Sequence, residues 1–445
     1  MKVMAPEQNI YSSQFGEIVR HLPGRGLTWL DHLRETGIQQ FAGAGFPTTR
    51  MEEWKYTNIA PISRVAFRPA RRTTLPDTVR EQVDAFPPPR LVFVNGFLAS
   101  PEGARSQTAP TKEKLVITGL SKALANPRVA ATLEPHLGHL AETGNHPFVA
   151  WNTAFFADGA CVVIPPGTVV QDPIHLVFVS AATDSPSVAF PRNLIVVGER
   201  SQVSVVEIYL SVSGGTFLTN AVTEIAIARG ASVDYHKFEH EFPETFHVAT
   251  VKATLGRDAS LTSHAFSLGA ALSRNELRVA LKGEGAQCTL AGLYLADEHR
   301  LVDNHTEIDH CQPHATSREL YKGVLAGYGE GVFNGAIIVR KDAQKTDAVQ
   351  HNKNLLLSEH AQINTKPQLE IHADDVRCAH GASIGQISED ALFYLRTRGV
   401  DERTARHILI RGFAAEILDG IRVPSVRRLM DLRLQEWFER RLEAA

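Results

Sequence analysis

Gly167-Thr-Val169, Ser201-Gln-Val203, Ala231-Ser-Val233, Ala259-Ser-Leu261 and Ala286-Gln-Cys288 repeat one small-x-apolar step at intervals of 27 to 34 residues. Short runs rich in β-branched and aromatic residues recur between these steps, punctuated by turn residues, and no amphipathic helix separates them. A doubly wound sheet needs crossover helices between its parallel strands. An array of short strands without them fits a β-helix or solenoid better, in which each turn stacks on the one before. Later copies of the step, Ala343-Gln-Lys345 and Ala361-Gln-Ile363, lie closer together. The period is therefore imperfect and a β-sandwich stays open, although its strand count would be high. This texture begins near Val149 and holds for over two hundred residues.

Toward its C-terminal end the β-rich region carries Lys366-Pro-Gln-Leu-Glu370-Ile-His372-Ala-Asp374-Asp375-Val-Arg-Cys378-Ala-His380-Gly381. Leu369, Ile371 and Ala373 alternate with Glu370, His372 and Asp374, the period-2 pattern of a half-buried strand. Beyond the Asp374-Asp375 corner, Cys378 and His380 stand at i and i+2, on one side of an extended chain. A soft sulfur beside a borderline nitrogen suits iron or zinc better than calcium or magnesium. The same spacing also fits a buried structural cysteine next to a solvated histidine.

Helical patterns flank the β region. Ser388-Glu-Asp390 offers a cap with acidic residues in the first turn, and Gly399 a stop. Asp401 can cap a second helix with an apolar stripe of Ala405, Ile408, Leu409, Gly412, Phe413 and Ile417. Pro424-Ser425 opens a third, with Val426, Met430, Leu434, Trp437 and Phe438 on one side. Arg427, Arg428, Arg433, Arg440 and Arg441 crowd that helix, as a solvated face or as a docking surface for an acidic partner. On the N-terminal side, residues 8–45 read as helical with a break at Pro23-Gly-Arg-Gly26, and residues 112–145 as mainly helical again. Between them Leu91-Val-Phe-Val94, Asn95-Gly96 and Phe97-Leu98 predict a hairpin, because Asn-Gly supplies the positive φ angles of a type I′ turn. The expected division is 1–148 for a helical cap with hairpin and linker, 149–386 for the β core and 387–445 for a helical tail.

Composition narrows the function. A net charge of −3 over 445 residues gives no general attraction to nucleic acid or to a membrane surface. No apolar run approaches the ~18 residues that span a bilayer. Met1-Lys-Val-Met-Ala-Pro-Glu-Gln lacks the apolar centre of a signal peptide. The four cysteines, Cys161, Cys288, Cys311 and Cys378, are scattered and read as reduced thiols, which together predicts a cytoplasmic protein. There is no Gly-Lys pair and so no phosphate-binding P-loop. Gly381-Ala-Ser383-Ile-Gly385 matches the nucleophile elbow of α/β-hydrolases, but the parallel strands and crossover helices of that fold are missing around it. Asp303-Asn-His305-Thr-Glu307-Ile-Asp309-His310-Cys311-Gln-Pro-His314 is the richest ligand cluster. In an extended strand Asp303, His305, Glu307, Asp309 and Cys311 face one way, so a metal-dependent hydrolase is the alternative reading, against a polar outer strip of a solenoid.

Several linked motifs together resemble the SufB/SufD family, the scaffold subunits of the SUF iron–sulfur cluster assembly machinery, and its SufD branch in particular. They are Glu52-Glu-Trp-Lys-Tyr-Thr57, Val302-Asp-Asn-His-Thr306, Glu319-Leu-Tyr-Lys-Gly-Val-Leu325, Ala343-Gln-Lys-Thr-Asp-Ala348 and Asn354-Leu-Leu-Leu-Ser358. Thr365-Lys-Pro-Gln-Leu-Glu-Ile371, Ala373-Asp-Asp-Val376, Cys378-Ala-His-Gly-Ala382 and Phe393-Tyr-Leu-Arg396 with Arg398-Gly399 complete the set in family order. SufB-type chains carry a Val-Glu-His-Glu-Ala-like segment where this chain has Arg377-Cys-Ala-His-Gly-Ala382, and a functional cysteine near the position of Ala361. This chain matches neither.

The resemblance implies a mainly β fold: a right-handed parallel β-helix core between N-terminal and C-terminal α-helical domains. It implies a non-catalytic scaffold that pairs with a SufB-like paralogue through the β-helix, and allows a homodimer when the chain is alone. The C-terminal helices would bind the SufC-like ABC ATPase, through Phe393, Tyr394, Arg398, Phe413 and Trp437. Nascent clusters would form as a transient cargo shared with SufB, with Cys378 and His380 nearest the assembly interface and His380 as an iron ligand or proton acceptor. Whether a reduced flavin joins the complex is left open. Two donors from one chain are too few to hold a cluster, which typically takes four, so a partner must supply the rest.

Overall fold

The computed structural model describes residues 6–100, 115–144, 146–181, 184–212 and 214–443. From Ala160 to Gly385 the chain winds through eight turns, each adding one strand to each of two sheets. The first sheet runs Ala160–Ile164, Arg192–Val197, Phe217–Ile227, Thr245–Leu255, Leu272–Leu281, Leu301–His310, Glu330–Val339 and Gln362–Ile371. The second runs Ile174–Ser180, Gln202–Ser211, Ser232–His240, Ser260–Ser267, Gln287–Ala296, Thr316–Leu325, Asp347–Leu356 and Arg377–Gly385. Neighbouring turns pair in parallel and in register: Val233 lies opposite Leu261, Leu261 opposite Cys288 and Cys288 opposite Ser317. This is the solenoid expected from the sequence.

The repeated small residue has a defined job. At the corners leading into the second sheet a residue with positive φ is followed by a small buried one: Arg200-Ser201, Gly230-Ala231, Asp258-Ala259, Gly285-Ala286, His314-Ala315 and Lys345-Thr346. The small side chains stack from turn to turn where a longer one would hold the corners apart. The copy expected at Ala343-Gln-Lys345 is out of phase, since Thr346 occupies the corner. Ala361 instead precedes Gln362–Ile371 of the first sheet. His314-Ala315 is a further copy of this corner that the sequence reading did not include.

Alternate residues of both sheets point inward and form one long core that includes Val203, Val205, Val233, Tyr235, Leu261 and Leu290. The outer faces are covered by the flanking helices. Thr28–Ala44 crosses Pro147–Phe155 at Gly37, where a Cβ would come within 2.9 Å of the Ala150 carbonyl. Phe41 stacks on Trp151 with centroids 5.2 Å apart, in a cluster that reaches Leu194, Leu218, Phe246 and Leu272 on the outer face of the first sheet. Glu224 fastens this layer: it accepts from the backbone N–H groups of Gly138, Leu140 and Ala141 and pairs with buried Arg192 at 2.7 Å. The hairpin forms as expected, with φ of 53° at Asn95 and 82° at Gly96.

The C-terminal helices are Glu389–Thr397, Glu402–Leu418 and Pro424–Glu443. Ser388 Oγ accepts from Ala391 N–H at 3.2 Å and Asp401 from Thr404 N–H at 2.9 Å, as the cap signals predicted. The second and third cover the outer face of the second sheet, setting Ile410, Ala414, Ile417, Met430, Leu434 and Trp437 over Phe238, Phe266, Leu293, Leu295 and Val324. The third helix buries the stripe read from its sequence. In the second the buried stripe is Ala405, Ile410, Ala414, Ile417 and Leu418, while Ile408 and Gly412 face outward. Arg427 and Arg433 are largely spent on local partners, Asp419, Asp431, Glu436 and Gln82, which argues against an open basic docking face there. The side chains of Arg440 and Arg441 lie outside the described residues. Among the described residues no helix is long and apolar enough to cross a membrane.

Candidate functional site at the open end of the solenoid

Gln362–Ile371 and Arg377–Gly385 are the outermost strands of their sheets at the C-terminal end. Among the described residues each pairs along one edge only, with Glu330–Val339 and with Asp347–Leu356. The burial that marks earlier turns fades here, and Ile371 and Ile384 are 42% and 51% exposed.

Cys378 and His380 lie on this last strand, in register with Ala348 and Gln350. Cys378 is half-buried against the small apolar cluster of Ile337, Val339, Ala343, Ala348 and Ala373. Burial pushes its thiol pKa up, partly offset by the backbone N–H of Ala348. It is thus chiefly a thiol at neutral pH and needs a metal or a nearby cation to become thiolate. His380 is exposed. The two therefore share a face of one strand but differ in environment, the sulfur packed and the imidazole open. His372, on the neighbouring segment, pairs with Glu370 at 2.8 Å.

The column leading inward from His380 was not singled out by sequence reasoning. Gln350 and Glu319 occupy the same register on the two preceding turns of the sheet, both buried. Gln350 donates to Glu319 at 2.7 Å, and burial, partly offset by hydrogen bonds from Thr306 and Gln350, raises the Glu319 carboxyl to about 7. Asn352 and Asn354 share the interior with Tyr294. The open end thus carries a buried polar column beside the apolar cluster that packs Cys378. The signal was available as polar residues at inward positions, but inward and outward cannot be assigned until the corners fix the phase.

Of the tail residues, Phe393 and Tyr394 are 70% and 59% exposed, with the Arg398 guanidinium 5.3 Å from the Tyr394 ring centroid. Phe413 is half-buried, with Lys322 4.6 Å from its centroid and donating to its carbonyl at 2.8 Å. Trp437 is buried beneath the third helix. The five residues do not form one surface: three face solvent and two hold the helices on the solenoid.

The 303–314 cluster has another task. Asp303 is buried and accepts from Thr57 and, at 2.5 Å, from Arg274, while His305 Nε2 stands 3.0 Å from its other oxygen. Burial would raise its carboxyl pKa, but His305, Arg274 and the hydrogen bonds from His305 and Thr57 bring it down to about 2. Arg274 also lies 3.7 Å from the centroid of the Trp54 ring, and Glu53 pairs with Arg278 at 3.1 Å. Asp309 pairs with Arg340. The strand face is neutralised by arginines and holds segment 52–57 onto the solenoid, which removes the basis for a hydrolytic metal centre. The Ser383 elbow is likewise absent. Ser383 lies within a β-strand, and the acid and base that could nominally complete its triad, Asp401 and His407, respectively cap a helix and pack against Phe438.

Comparison with known proteins agrees with this architecture. Residues 178–413 match the SufBD core domain of the SUF system for FeS cluster assembly, and residues 5–176 match the SufBD protein N-terminal region. An iron-sulfur cluster assembly SufBD family protein of Synechocystis sp. is 34% identical over 391 residues, covering 86% of this chain and 85% of that one. The iron-sulfur cluster assembly protein SufD of Escherichia coli is 29% identical over 408 residues, covering 89% and 90%. SufD of Bacillus subtilis is 25% identical over 408 residues, covering 90% and 92%. With both halves of the fold matched in order, the chain belongs to the SufBD family of iron–sulfur cluster assembly proteins.

Proposed function

We propose that this protein is a SufD-like, non-catalytic scaffold subunit of a cytoplasmic SUF complex, working beside a SufB-like paralogue and a SufC-like ATPase. The observation that carries this reading is the pair of free strand edges at the end of the solenoid, with Cys378 and His380 on one of them. An unpaired edge presents backbone donors and acceptors ready for a strand of another chain. A like solenoid meeting these edges would bring its own ligands opposite His380. The iron–sulfur cluster is cargo in this scheme: it forms between the two chains because neither holds enough donors alone, and it leaves for the same reason. His380 would serve as an iron ligand or proton acceptor, Cys378 as its packed neighbour. Phe393, Tyr394 and Arg398, exposed on the first tail helix, would receive the ATPase.

The test is co-expression with SufB-like and SufC-like chains. His380→Ala should leave the complex assembled while lowering the iron and sulfide recovered with it, and Cys378→Ser should lower them less, because its thiol is poorly ionised. His372→Ala is the control. A chain that ignores both partners, or a His380→Ala complex with its full complement of cluster, would refute the reading.

A further inference from the structure

Three sets of histidine and carboxylate side chains converge among the described residues: Glu239, Glu241 and His247; Glu53, His146 and Glu276; and Asp234, His236 and His264. The first already holds a cation, because Lys237 Nζ lies 2.8 Å from His247 Nε2. The second is neutralised by Arg278, which pairs with both Glu53 and Glu276. In the third, among the described residues, the carboxylate pairs with His236 and with no lysine or arginine.

Asp234 and His236 stand at i and i+2 on Ser232–His240, and His264 is paired with His236 on the next turn. All three project from the outer face of the second sheet. The two imidazoles stack with centroids 5.0 Å apart, and His236 Nε2 lies 3.1 Å from Asp234 Oδ2. One donor atom from each residue lies within 4.8 Å of the others. His236 is fully buried and His264 is 3% exposed. Beyond the His236–Asp234 contact, His236 Nδ1, His264 Nδ1 and Asp234 Oδ1 are buried with no hydrogen-bond partner. Buried polar atoms without partners are uncommon in folded proteins, so this set, with one donor atom from each residue converging, calls for a ligand. The link after the second tail helix closes over them: a Cβ at Gly420 would lie 2.9 Å from His264 Nε2. The Asp234 side chain remains 21% exposed and leaves a way in.

We propose that Asp234, His236 and His264 bind one divalent first-row transition ion beneath the C-terminal helices, independently of the cluster site at the open end. Two imidazoles and one carboxylate are a donor set for zinc or ferrous iron, with a further position left for water. The ion would lie between solenoid and tail and so tie the stability of the helical layer to metal.

The full-length chain, stripped with chelator, should take up one Zn2+ in a calorimetric titration and one Co2+ with visible ligand-field bands. An anaerobic Fe2+ titration decides between the two native ions. X-ray absorption of the wild-type protein should find imidazole donors. Asp234→Asn and His264→Gln should each weaken binding by more than about 100-fold, since even outer partners of metal ligands cost 10–100-fold. His236→Leu, which satisfies the burial without a donor, should fold and bind no ion. The Cys378→Ser/His380→Ala double variant should bind as wild type does, so failure of the cluster reading leaves this result intact. An apo chain that takes up no ion, uptake that survives Asp234→Asn and His264→Gln unchanged, or an ion lost with Cys378 and His380, would overturn the proposal.

Discussion

Asp303 and Glu319 are both buried carboxyl groups, and their surroundings move them in opposite directions. Asp303 falls from 3.8 to about 2 despite its burial, because His305 and Arg274 favour its charge. A depressed carboxyl contributes stability that is present above its unfolded pKa and is lost as pH falls toward 2. The shift corresponds to about 2 kcal/mol. Asp303→Asn should therefore destabilise the chain by about 3 kcal/mol at pH 7, including the cost of stranding Arg274, and the difference should shrink between pH 4 and pH 2. Urea denaturation across that range measures it, and a gap independent of pH would mean that the ion pair is not its cause. Glu319 rises from 4.5 to about 7 through burial. Its unfolded form releases the proton first, so stability declines as pH climbs from 4.5 to 7 and levels off above. Glu319→Gln should stabilise the chain by up to about 3 kcal/mol at pH 8 and hardly at all at pH 4. The same comparison of melts at two pH values tests it.

At the scale of elements, the tail helices divide into two that cover and one that projects. Trp437 and Met430 are buried against the second sheet, so Trp437→Ala should cost roughly 3–5 kcal/mol and lower the melting temperature of the solenoid with it. Removing residues 388–445 would uncover Phe238, Phe266, Leu293, Leu295 and Val324 at once, and is expected to aggregate the chain rather than merely to detach a partner. A cleaner probe of the proposed ATPase docking is the exposed pair. Phe393→Ser with Tyr394→Ser should leave the melting curve unchanged within about 0.5 kcal/mol and abolish co-purification of a SufC-like subunit. Retained binding would move the docking surface elsewhere. The sequence made these helices legible through Ser388 and Asp401, whose cap chemistry is local, and through the wide stripe of the third helix. It misassigned Ile408 because alternative stripes on the second helix are comparably apolar, and only the sheet beneath decides which is buried. The strands were legible for the opposite reason, since period-2 alternation survives without knowledge of neighbours. What stayed hidden was the phase of the corners at His314 and Lys345, where ordinary residues take the positive φ expected of glycine, and with it the inward set of Glu319 and Gln350.

For the whole molecule, the two ends of the solenoid are managed differently. At the N-terminal end Arg90–Val94 and Val116–Gly119 add strands to the two sheets and the helical layer closes around them. At the other end, among the described residues, Gln362–Ile371 and Arg377–Gly385 have no strand beyond them, and Ile371 and Ile384 face solvent. Such an edge invites pairing with a second chain. The isolated protein is therefore expected to self-associate through these edges when concentrated, in competition with the SufB-like paralogue proposed above. Lysine on an edge opposes strand addition, because its charge would have to be desolvated between two backbones. Ile371→Lys with Ile384→Lys should leave the monomer's unfolding unchanged within about 0.5 kcal/mol, since both side chains already meet water. The same double variant should run as a monomer in light scattering at concentrations where wild type is dimeric, and should fail to retain a SufB-like chain. If the variant dimerises and binds the paralogue like wild type, the interface is not at these edges, and the placement of His380 opposite a partner's ligands falls with it.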